Sequence, residues 1–101
     1  MLKHIVMWKL KDEAMGNSKC KNAKLMKEKL LSLKVKIHEI KSMEVGIKAE
    51  EAGNNGYDII LITEFNNFDD LNTYRIHPEH KKVVGFINEI TTERAAIDYI
   101  I

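Results

Sequence analysis

An α+β fold of ferredoxin-like type, with elements in the order β-α-β-β-α-β, is predicted by three observations. Four segments, about residues 2–10, 42–49, 57–65 and 92–100, show the alternation or β-branched content of strands. Amphipathic helical periodicity fills the long intervals after the first and third of them. Two of the strands are apolar on both parities, as central strands covered on both sides are.

The first strand reads LKHIVMWKL, with Ile5 and Met7 on one face and Val6, Trp8 and Leu10 on the other. His4 shares the second parity. A polar turn with Gly16 and Asn17 follows, and Asn17 or Ser18 is placed to cap a helix over residues 18–33. Ala23, Met26, Leu30 and Leu33 form its apolar stripe, broadened by Leu25 and Leu31, and Val35 and Lys36 are expected to lie beyond its end. Residues 37–41 have no assigned structure. In the second strand Met43, Val45, Ile47 and Ala49 alternate with Ser42, Glu44, Gly46 and Lys48; Gly46 signals a bulge or a close backbone approach. Gly53, Asn54, Asn55 and Gly56 mark a loop. The third strand, YDIILITEF, sets Tyr57, Ile59, Leu61, Thr63 and Phe65 against Asp58, Ile60, Ile62 and Glu64. Asn67 with Asp70 resembles a capping box, opening a helix that breaks at Ile76–Pro78 and resumes over about 78–90. The last strand places Ala95, Ile97 and Tyr99 opposite Ala96, Asp98 and Ile100.

Two helices cover only one face of such a sheet. Ile5, Met7, Ile60 and Ile62 then lie on the other, and covering each large residue is worth roughly 1.5–3 kcal/mol. Packing two sheets face to face across a two-fold axis removes that patch from water, so a homodimer through the helix-free sheet face is expected.

At 101 residues the chain is expected to form one domain, residues 1–101. Sixteen basic and fifteen acidic residues leave a net charge of +1, with no global pull toward nucleic acid or anionic lipid. The lysines crowded between Lys19 and Lys41 read as a solvated helix face or a weak anion-facing patch, without aromatic residues for base stacking. No nucleic-acid or membrane partner is expected, and the absence of a signal-peptide pattern makes the cytoplasm the expected address. Cys20, the single cysteine, forms no intrachain disulfide and no thiolate cluster. Nucleotide-loop, zinc-protease and nucleophile-elbow motifs are absent. His77 and His80, with His4, form a conceivable metal set, or His77 satisfies backbone at the helix break. Arg75 and Arg94 suit a carboxylate ligand or surface ion pairs, and surface pairing is the expectation.

Three stretches, KHIVMWKLKD at 3–12, MEVGIK at 43–48 and YDIILITEFNNFDDLNTYRIHPEHKKVVGFI at 57–87, with ERAAIDY at 93–99, resemble the stress-responsive dimeric α+β barrel (Dabb) family. The resemblance implies a barrel of two ferredoxin-like subunits. It implies a small stress-responsive protein of undetermined activity that binds a small organic ligand. The alternative is a cofactor-free cyclase, isomerase or monooxygenase-like enzyme acting on an aromatic or polyketide-like carbonyl compound. His4, Tyr74 and His80 match three working residues of a plant polyketide cyclase of this family, and Ile59 stands where that enzyme has a third-strand histidine. Catalytic roles accordingly fall on His80 as base, Tyr74 as orienting donor and His4 as second donor or wall, with no cofactor and no resident metal. Trp8, Ile59 and His77 are the candidate ligand-lining residues, Trp8 either as core or as a pocket wall.

Overall fold

The computed structural model describes residues 1–101. Its strands are β1 (Leu2–Leu10), β2 (Glu13–Ala14), β3 (Asn17–Ser18), β4 (Ser42–Ile47), β5 (Ile59–Phe65) and β6 (Thr91–Ile100). Its helices are α1 (Lys19–Lys36), α2 (Phe68–Ile76) and α3 (Pro78–Ile90). Four strands make one antiparallel sheet in the order β4-β5-β1-β6. This is the ferredoxin-like arrangement, with all three helices on one face.

The double-sided apolar pattern of β1 is explained by its central place. Leu2, Val6, Trp8 and Leu10 are buried beneath the helices, together with Ile59, Leu61 and Phe65 from β5. Ile5 pairs with Ile62 and Ile97, and Met7 with Ile60 and Ala95, forming apolar rows on the helix-free face. Gly46 belongs to that face, where an added Cβ would stand 3.1 Å from Ile60 Cγ2. The β4–β5 register runs unbroken, so this glycine answers to a close approach and not to a bulge.

Helix α1 is capped by Ser18, whose Oγ accepts from Lys21 N–H at 3.2 Å. It runs three residues beyond the expected end, to Lys36. Lys34 and Lys36 suit the negative end of the helix dipole. Ile37, 1% exposed, donates its N–H to the Leu33 carbonyl and turns the chain into the core. Leu31 does not widen the apolar stripe, being 41% exposed. Buried Asn22 takes part instead, donating to the carbonyl oxygens of Ala14 and Asn17. These tie α1 to the small β2–β3 hairpin, which the sequence showed only as a turn. Met15 and Gly16 both have positive φ, 54° and 78°, as a two-residue hairpin turn requires.

Asp58 departs from the alternation expected of it. It lies ahead of β5, and its carboxylate is drawn in to accept from Leu10 N–H at 2.8 Å while pairing with Lys48 at 3.1 Å. Burial raises its pKa, but the Leu10 amide, Lys48 and Lys19 outweigh this and hold it below the usual range. Asp58→Ala leaves the Leu10 amide without its partner, so urea denaturation is expected to show a loss of about 1–3 kcal/mol. An unchanged midpoint would remove Asp58 from the interactions that hold the sheet end.

Candidate functional site

β1 and β6 run antiparallel with His4 opposite Asp98, Val6 opposite Ala96 and Trp8 opposite Arg94. All six side chains share the helix-facing side of the sheet. His4 is 4% exposed, and its Nδ1–H donates to Asp98 Oδ1. Arg75, in the last turn of α2, donates from Nη2 to Asp98 Oδ2 at 3.0 Å. A continuous chain Arg75–Asp98–His4 results. Its partners fix the His4 tautomer, leaving Nε2 unprotonated.

Asn67 starts α2, its side chain accepting from Asp70 N–H at 2.9 Å, as the capping pattern predicts. Tyr74 then falls on the buried face, 1% exposed, with its ring 5.2 Å from Phe65 and 6.3 Å from His4. His77 ends α2 and also caps α3, its Nδ1 accepting from Glu79 N–H at 3.1 Å. Pro78 occupies the first turn of α3. Three residues past this joint, His80 comes to lie against Tyr74, ring centroids 4.2 Å apart, and its Nδ1–H donates to the Arg75 carbonyl at 3.0 Å.

Burial lowers the His4 pKa; the Asp98 hydrogen bond and charge oppose this, while Arg75 and Arg94 reinforce it. Burial also lowers His80, opposed by the Arg75 carbonyl and assisted by His4, Arg94 and Arg75. Tyr74 is pushed up by burial, with Arg94 pulling slightly the other way, so it remains a hydroxyl donor through neutral pH. Two neutral imidazoles and one protonated phenol therefore stand together: two proton acceptors beside a donor.

His4, Tyr74 and His80, singled out in the sequence, are brought together. Trp8 and Ile59 are neighbours in the β1–β5 register and buried in the core. They lie four residues along β1 from His4, roughly 13 Å away. His77 serves the helix joint rather than backbone carbonyls. Arg75 makes the ion pair expected of it, but with a partner inside the site. Asp98 was missed as a site residue. The one available signal was a lone carboxylate between Ala96 and Ile100 on a strand that this fold pairs with β1. The surface concavities lie elsewhere: one by Met7, Gly46 and Tyr57, one by Cys20 and Asn54, and one by Ser32 and Glu79. No group of three or more His, Cys, Asp or Glu side chains is arranged to hold a metal ion, and no helix is long and apolar enough to cross a membrane.

The strand order and one-sided helix layer define a ferredoxin-like α+β protein with an acid–base cluster between sheet and helices. The chain belongs to the stress responsive A/B barrel domain (Dabb) family, whose sequence profile matches residues 2–101. Among solved structures it is similar to a dimeric ferredoxin-like protein of unknown function from Bacteroides fragilis. The identity is 35% over 97% of this chain and 93% of the other, with a TM-score of 0.85. It shares its fold with a hydroxynitrile lyase from Passiflora edulis, at 17% identity over 99% and 92% of the chains and a TM-score of 0.80. It also shares it with an antibiotic biosynthesis monooxygenase, at 13% identity over 100% and 98% and a TM-score of 0.72. No curated protein matches the sequence significantly.

Proposed function

We propose that the protein is a homodimer, paired through its helix-free sheet face, that binds a small organic carbonyl compound beside β6 and moves a proton on it without a cofactor. The Arg75–Asp98–His4 chain carries this reading. A carboxylate on Nδ1–H orients an imidazole and stabilises its cationic form, which suits the other nitrogen to act as base. The roles read from the sequence are thereby exchanged: His4 becomes the base and His80 the second group. His4 Nε2 takes a proton from the carbon next to the carbonyl, and the C–H electron pair moves into an enolate. The Tyr74 hydroxyl donates to the enolate oxygen. Where a carbon–carbon double bond extends the enolate, return of the proton at its far carbon gives isomerisation. Attack of the enolate carbon on a second carbonyl, with the imidazolium protonating the new alkoxide, gives cyclisation.

The apolar rows through Ile5 and Met7 support the pairing, as does the dimeric Bacteroides relative. A second reading rests on a specific observation: none of the surface concavities reaches His4, Tyr74 or His80. The cluster is then a packed hydrogen-bond network that holds β6 and α2 to the sheet, in a stress-associated dimer without catalysis. NMR titration of each imidazole separates the two, in wild type and Tyr74→Phe, before and after adding aromatic and polyketide-like carbonyl compounds recovered by mass spectrometry from a mixture screened on the dimer. Catalysis predicts that His4 and His80 shift together on ligand addition and that Tyr74→Phe disturbs both. Independent titration of the two rings, unmoved by every compound, leaves only the packing role.

A further inference from the structure

The helices cover β6 only in part, with α2 reaching it through the Arg75–Asp98 pair. On the helix-facing side His4, Val6 and Trp8 are at most 5% exposed, yet their partners on β6 are open: Arg94 and Ala96 are exposed and Asp98 is half-buried. Ala96 contributes only a methyl group between Arg94 and Asp98, so nothing large on β6 separates the two charged side chains. The two differ in charge balance. Asp98 is already paired with Arg75 and His4. Arg94 enters none of the ion pairs of the chain. Its charge nonetheless acts on His4, Tyr74 and His80. One positive charge without an ion-pair partner thus shares the helix-facing side of β6 with Asp98, four residues along the strand.

We propose that Arg94 is an anion-binding residue and that the compound taken by this site is a small oxo acid, whose carboxylate Arg94 holds while its carbonyl end lies toward His4 and Tyr74. An arginine fork matches a carboxylate in planar, two-point geometry, which fixes direction as well as position. About 13 Å separates the backbone of residues 94 and 98 along the strand, and the arginine side chain takes up part of it. A short oxo acid fills the remainder, with its acidic C–H bonds beside the imidazole. The inference rests on the acid–base reading above for the chemistry at the carbonyl end, but not for the binding at Arg94.

The test uses 2-oxobutanoate as probe and its methyl ester as the neutral comparison, each added to the intact protein. Binding is followed by NMR at the Arg94 side-chain Nε–H and at the imidazoles. Proton transfer is followed separately, as deuterium exchange at C3 of the probe in heavy water. The oxo acid is expected to move the Arg94 signal and the His4 ring. Arg94→Gln should weaken binding about tenfold or more, and Arg94→Lys should restore part of it. Arg94 is exposed, so a wild-type amide spectrum should confirm that both variants fold. Equal binding of acid and ester, indifference to Arg94→Gln, or no binding of the acid overturns the inference. The first two of these leave the acid–base reading standing if exchange persists. Binding at Arg94 without exchange upholds the inference and removes the acid–base reading.

Discussion

Ile62→Asp is expected to convert the protein from a dimer into monomers or insoluble material, the largest change any single surface substitution should produce. Ile62 stands in the row Ile97–Ile5–Ile62, next to Ala95–Met7–Ile60. None of these side chains is covered by a helix, and Ile97 is 60% exposed in the isolated chain. Each large residue removed from water contributes roughly 1.5–3 kcal/mol, so two copies of this face supply a substantial association energy. An aspartate in this row brings a desolvated, unpaired charge into the interface, at a cost of several kcal/mol on top of the lost apolar burial. Light scattering at micromolar concentration decides the matter. A soluble monomer for the unaltered protein, or an intact dimer for Ile62→Asp, would show that the sheet face is not the interface.

His4→Gln should slow C3 exchange of the oxo acid by about 10²–10⁴, the usual contribution of a positioned general base. Glutamine keeps a polar group against Phe65 and Tyr74 but cannot titrate. Asp98→Asn provides a second variant at a less buried position and should reduce the rate in the same direction, because an amide cannot stabilise the imidazolium. If both variants exchange the probe within about twofold of wild type, His4 is not the base. The pH dependence has a definite sign. The base works as the neutral imidazole, and its pKa lies below the ordinary value of about 6.5. Exchange should therefore persist below pH 6.5 and fall only as pH drops through the lowered value. Stability moves in the same direction. Below about pH 6.5 the unfolded chain takes up protons that folded His4 and His80 resist. Stability is thus full above that pH and declines on acidification, less steeply in His4→Gln.

Much of this architecture was legible because it rests on local rules. The alternation in β1 and β5 assigned Ile5, Met7, Ile60 and Ile62 to the helix-free face, as the pairing confirms. Asn67 with Asp70, and Pro78 after His77, placed the start of α2 and the break before α3. His4, Tyr74 and His80, which the structure brings together, were singled out because a family pattern marked them. Asp98 escaped because its role depends on a partner 94 residues away, and only the β1–β6 register reveals it. Asp58 escaped for the same reason: its parity suggested a strand face, whereas a hydrogen bond to the Leu10 amide across the sheet end determines where it goes. The end of α1 was misjudged because no glycine or proline marks it; a buried Ile37 stops the helix through tertiary packing.

The joint between α2 and α3 is a single residue, His77, which ends one helix and begins the next. Tyr74 and Arg75 hang from one side of it and His80 from the other. Each residue added to an α-helix rotates the remainder of that helix by about 100°. One residue inserted or deleted between Tyr74 and His80 would therefore swing the imidazole off the phenol, even with every side chain in the cluster unchanged. The spacing of this segment is thus constrained more tightly than its composition: side chains such as Ile76, 68% exposed, are free to vary, while the chain length is not.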